Sequence, residues 1–75
     1  MSEKVPRVTA AEIIKVLEKC RLALTRQNGS HKIYKNAEGR RATVPFHSAK
    51  ILHPKVLKSI MNEAGLSIED LKKYL

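Results

Sequence analysis

Gly29-Ser30-His31 joins a chain reversal to an imidazole in the most basic part of a 75-residue chain. Histidine exchanges protons near neutral pH. Held beside a phosphodiester, it can serve as general base or general acid. Lys32, Lys35, Arg40 and Arg41 follow closely, and from Lys19 to Lys58 there are ten Lys or Arg side chains against one acid, Glu38. Guanidinium forks match phosphate oxygens, and the backbone N–H groups of Gly29 and Ser30 can approach a phosphate at a turn. The chemistry this pattern suits is proton transfer at a phosphate on a cationic surface, as on a protein that handles RNA or DNA. RNA fits a small site best, because its own 2′-hydroxyl can attack the neighbouring phosphorus.

The remaining candidates are less informative. His47 and His53, taken with His31 and the single Cys20, match no compact zinc spacing, and Glu38 stands alone where a carboxylate cluster would be needed for Mg²⁺. No metal and no cofactor are therefore expected. One cysteine excludes an internal disulfide and suits a reducing, cytoplasmic setting; on the first helix it reads as a small packing residue. A net charge of +8 and a pI near 10.0 call for a polyanionic partner. Nucleic acid is preferred to a membrane, since no basic face carries an aromatic edge and no apolar run is long enough to span a bilayer. Seventy-five residues make one domain that buries only about 60% of its unfolded surface, so a shallow site acting on a polymer is expected.

The elements that must position these residues follow from caps and periodicity. Residues 1–8 read as a loose arm. Thr9 with Glu12 forms a capping box, and Ala10, Ile13, Ile14, Leu17 and Cys20 give a helical apolar stripe. An alternating stretch from Leu22 leads to Asn28-Gly29, a hairpin signal. His31–Lys35 is a second strand, Asn36-Ala37-Glu38-Gly39 a second turn, and Arg40–Val44 a third strand with Ala42 and Val44 on one face. Pro45 ends that strand. After a polar loop from Phe46 to His53, Pro54 starts a helix to Ala64 with Val56, Leu57, Ile60, Met61 and Ala64 inward. Gly65 caps it, and Ser67 with Asp70 opens a short last helix carrying Ile68, Leu71 and Leu75. The predicted fold is α+β: α-β-β-β-α with a short C-terminal helix, its three-stranded antiparallel sheet covered on one face by helices. Antiparallel pairing would gather Lys32, Lys35, Arg40 and Arg41 near His31. Alternation puts His31 on the side of Ile33, a natural core residue, but at the strand mouth a turn or bulge can swing the ring outward, so alternation neither excludes nor proves its exposure. Tyr34 either stacks on a base or packs in the core.

Gln27-Asn28-Gly29-Ser30-His31-Lys32-Ile33-Tyr34, then Gly39-Arg40-Arg41-Ala42-Thr43-Val44-Pro45-Phe46-His47, then Ala64-Gly65-Leu66-Ser67 resembles the HicA (YcfA-like) toxins, small mRNA interferases of toxin–antitoxin pairs. The resemblance covers residues 10–75. It implies a double-stranded-RNA-binding-domain-like fold, His31 as the catalytic histidine of a metal-independent mRNA endoribonuclease, and a HicB-type antitoxin as protein partner. Gly29, Ser30, Lys32, Lys35, Arg40, Arg41 and His47 are the expected RNA-binding residues; for His47, which falls on the family's Val-Pro-x-His position, positioning and catalysis both stay open. Where the family often has glycine and an aromatic after the first helix, this chain has Cys20-Arg21-Leu22. The rival reading is a non-catalytic RNA-binding module of the same fold, for which the basic patch would suffice.

Overall fold

The computed structural model describes residues 6–47 and 50–75; most of the expected N-terminal arm, and Ser48 and Ala49 of the expected loop, lie outside them. Six elements follow in order: α1 (Ala10–Lys19), β1 (Ala23–Asn28), β2 (His31–Lys35), β3 (Arg41–Pro45), α2 (Pro54–Ala64) and α3 (Ile68–Tyr74). The predicted α+β order is present, with an antiparallel sheet in the order β1-β2-β3 and the helices on one of its faces.

Local chemistry starts and stops the helices where expected. The Glu12 N–H donates to Thr9 Oγ1 at 3.2 Å while Glu12 Oε1 accepts from the Thr9 N–H at 2.8 Å, and Ser67 with Asp70 repeats this box at α3. Both long helices end in the same motif. At α2 the Leu66 N–H donates to the Met61 carbonyl at 2.8 Å, around Gly65 at φ +74°. At α1 the Leu22 N–H donates to the Leu17 carbonyl at 2.9 Å, but the left-handed residue there is Arg21, at φ +68°.

The core lies between the helices and the inner face of β2 and β3. Ile13, Val16 and Leu17 of α1, Leu57, Ile60 and Met61 of α2, and Leu71 of α3 close over Tyr34, Ala42 and Val44. It reaches further toward the N-terminus than the arm expected for residues 1–8: Val8 is 1% exposed, its carbonyl accepts from the Leu52 N–H at 2.8 Å, and Thr9 bridges Ile51. Other apolar positions turn out peripheral. Leu24 is 49% and Leu75 50% exposed, because every residue of β1 is exposed and Leu75 follows the end of α3.

Candidate nucleic-acid interface around His31

The face His31 occupies is decided by strand register. In the β2–β3 ladder Tyr34 pairs with Ala42 and Lys32 with Val44, whereas His31 pairs with Pro45, Ile33 with Thr43 and Lys35 with Arg41. Ala42 and Val44 are buried under the helices, so their partners Tyr34 and Lys32 share that side and His31, Ile33 and Lys35 take the other. Ile33 is therefore not the core residue of β2. Tyr34 fills that role at 3% exposure, paired with the small, buried Ala42, and its burial withdraws it from base stacking; burial, and then the charge of Glu18, push its phenol above the ordinary value. No bulge is required to expose His31, for alternation alone puts it on the open face.

Pro45 belongs to β3 and does not end it beforehand. The Phe46 N–H donates to the Ser30 carbonyl at 2.6 Å, so the hydrogen-bonded pair is Ser30 with Phe46, and the adjacent His31–Pro45 pair is a non-bonded one. The missing N–H of Pro45 thus falls on the outer edge of an edge strand, where proline is tolerated. Gly29, at φ +61°, supplies the positive φ at the first position of a two-residue hairpin turn that sets His31 at the mouth of β2.

The expected cations divide between the two sides of the sheet. Lys35 and Arg41 face each other on the open face, four residues along β2 from His31, a distance of about 13 Å at strand rise. Lys32 lies on the helix side of β2 with its Nζ 4.1 Å from the centre of the Phe46 ring, a cation–π contact. Arg40 reaches back to the end of α2: a β-carbon built on Gly65 would lie 3.0 Å from the Arg40 Cζ. Neighbouring strand residues point to opposite faces, so Arg40 and Arg41 cannot both stand beside His31.

One cation of the open face escaped the sequence reading. Arg26 pairs with Ile33, and Asn28 with His31, so Arg26 joins Lys35 and Arg41 on that surface. The register shifts between Leu24 and Arg26, a bulge at Thr25, whose Oγ1 donates to the Ile33 carbonyl at 3.0 Å. Asn28-Gly29 pins the hairpin and would have located Arg26 opposite Ile33, had the strands been paired back from that turn. The register gives this face no acidic side chain.

His47 lies past the end of β3, on a pocket of about 270 Å³ that it shares with Pro45, Lys50, Ile51, His53 and Val56. His53, which ends the expected polar loop, caps α2: its Nδ1 accepts from the Lys55 N–H at 3.1 Å. Among the described residues no three His, Cys, Asp or Glu side chains are grouped to hold a metal ion, and no helix is long and apolar enough to cross a membrane. What the surface assembles is an exposed imidazole on a face whose charges are all positive, an arrangement able to receive a polyanion and exchange a proton with it. No curated protein matches the chain. Residues 10–66, from the start of α1 to just past α2, match the family model described as the HicA toxin of bacterial toxin–antitoxin systems.

Proposed function

This chain belongs to the HicA toxin family, and from that premise we propose that it is a metal-independent mRNA endoribonuclease acting through His31. The observation that carries the reading is the register of β2, with His31 exposed on the face that also bears Arg26, Lys35 and Arg41. His31 takes the proton of a ribose 2′-hydroxyl, whose oxygen bonds to the adjacent phosphorus as the bond to the 5′-oxygen breaks. A 2′,3′-cyclic phosphate and a 5′-hydroxyl result, the leaving oxygen gaining its proton from solvent or the reprotonated imidazole. Lys35 and Arg41, about 13 Å along the strand, bind phosphates flanking the cleaved one, which orients the chain without neutralising the reacting centre. General acid–base help from one histidine is worth roughly 10²–10⁴-fold, enough for a toxin that must nick messages slowly.

A HicB-type antitoxin would silence the toxin by laying acidic side chains over the same face, with association that weakens in salt. Both encounters belong in the cytoplasm. The deciding experiment is cleavage of a defined RNA with and without EDTA, followed by mass spectrometry of the ends. Cyclic phosphate and 5′-hydroxyl ends in both conditions are expected, with 2′-O-methyl RNA bound but intact. Ends carrying a 5′-phosphate, or activity lost to EDTA and restored by Mg²⁺, would overturn the mechanism; binding without cleavage would leave an RNA-binding module.

A further inference from the structure

The pocket on which His47 lies has the form of a binding site in its own right. It opens where β3 gives way to the start of α2, with Pro45, Ile51 and Val56 as apolar walls and His47, Lys50 and His53 as its polar groups. Ile51 is 54% exposed, an apolar side chain presented to solvent at the pocket wall. A second hollow of about 320 Å³ continues from it, sharing Ile51 and His53 and adding Arg7. Neither is lined by an acid. The His53 ring is held by its cap: with Nδ1 accepting from the Lys55 N–H, the neutral ring carries its proton on Nε2 and offers a fixed donor. Most telling is the position of Pro45, which is both a wall of this pocket and the cross-strand partner of His31, at a non-bonded pair where Cα atoms stand about 4.5 Å apart.

We propose that this pocket is a nucleobase subsite, holding the base of a nucleotide next to the phosphate at His31 and thereby setting where the RNA is cut. The inference rests on the ribonuclease reading above. Apolar walls suit the faces of a base, the Nε2–H of His53 suits an acceptor on a base edge, and Lys50 with Arg7 suits the phosphates on either side. A site that hydrogen-bonds a substrate edge discriminates strongly against substrates lacking it. An acidic protein segment would satisfy the charges but has no use for an apolar pocket whose wall, Pro45, is the cross-strand partner of His31.

The test combines cleavage profiling with a binding readout that needs no cleavage. On a pool of short RNAs randomised around the cut, the unaltered chain is expected to prefer particular bases at one flanking position. Val56→Phe, which fills the pocket, and Ile51→Ser, on an exposed side chain whose loss spares the fold, should each lower that preference by about tenfold. Adding His31→Ala to either variant should lower cleavage by about 10²-fold or more, as His31→Ala does alone. With an uncleavable 2′-O-methyl oligonucleotide, the methyl resonances of Ile51 and Val56 should shift in step with those of the open face. A chain that cuts RNA with the same base profile after both substitutions would overturn the subsite and spare the ribonuclease. A chain that neither cuts nor binds RNA would overturn both. Methyl shifts produced by an acidic peptide and not by the oligonucleotide would make the pocket a protein contact and overturn the proposal.

Discussion

His31 and Pro45 stand opposite each other across the β2–β3 ladder, so the proposed catalytic imidazole is buttressed by a residue with a fixed ring and no N–H. The ladder bond passes one step further on, from the Phe46 N–H to the Ser30 carbonyl. The histidine therefore sits on paired backbone at a strand end while its side chain is exposed, outside the buried core.

That separation of site from core predicts the behaviour of His31→Ala. Cleavage should fall by about 10²-fold or more, while unfolding free energy stays within about 0.5 kcal/mol of the parent, as for surface substitutions generally. Urea denaturation followed by circular dichroism, run beside the RNA assay, checks both. Undiminished cleavage would transfer the role to His47.

Because the two faces hold different cations, charge removal should not be uniform. Arg26→Gln, Lys35→Gln and Arg41→Gln should each reduce the slope of log affinity against log salt by roughly 0.7 for a single-stranded RNA. Arg40→Gln, whose parent side chain lies against Gly65, should leave the slope nearly unaltered. Equal slopes for Arg40→Gln and Arg41→Gln would show that register does not govern RNA contact.

Gly65→Ala should destabilise the fold by about 1–2 kcal/mol, since the left-handed φ disfavours a side chain and the added carbon would press on the Arg40 Cζ at 3.0 Å. Pairing it with Arg40→Ala should return the steric share and not the backbone share. A double-mutant cycle in urea separates them.

The matching motif at α1 predicts the opposite sign. Arg21 holds the left-handed position that Gly65 holds at α2, so Arg21→Gly should relieve strain and stabilise the protein by roughly 0.5–1 kcal/mol net of the added freedom of the unfolded chain. A lower denaturation midpoint would mean that the arginine side chain contributes more than its backbone costs.

Asp70 supplies a pH dependence. Hydrogen bonds from the Ser67 backbone and then its hydroxyl, with Lys73 adding to them, hold the Asp70 carboxyl below its ordinary value of 3.8. Its folded-state value is depressed, so its stabilising effect is complete above the unfolded value and disappears as pH falls through the folded one. Asp70→Ala should therefore be less stable than the parent at neutral pH, and the gap should narrow in acid below 3.8. A gap independent of pH would assign the loss to helix propensity instead of the cap.

Much of this was legible from short-range chemistry. The two capping boxes, the Gly29 and Gly39 turns, Pro54 at the head of α2 and Gly65 at its end each depend on a few adjacent residues, and the structure has them all. The face of His31 was not, because Ile33 and Tyr34 are both apolar and only the pairing of Tyr34 with Ala42 says which one turns inward. The gathering of Lys32, Lys35, Arg40 and Arg41 failed on the period of a strand itself: adjacent residues diverge. His53 was passed over as a cap because Ser, Thr, Asp and Asn usually fill that position.

The exposure of every β1 residue sets how the molecule opens. That strand joins the fold through its ladder with β2 and contributes nothing to the buried cluster, so its amides should lose hydrogen-exchange protection in a local opening well below the global unfolding energy. Arg26 rides on that strand. A polyanion that grips Arg26 together with Lys35 and Arg41 ties the loosest strand to the two beside it, and the bound state should be read as slowed exchange along Ala23–Asn28 before any change reaches the helices.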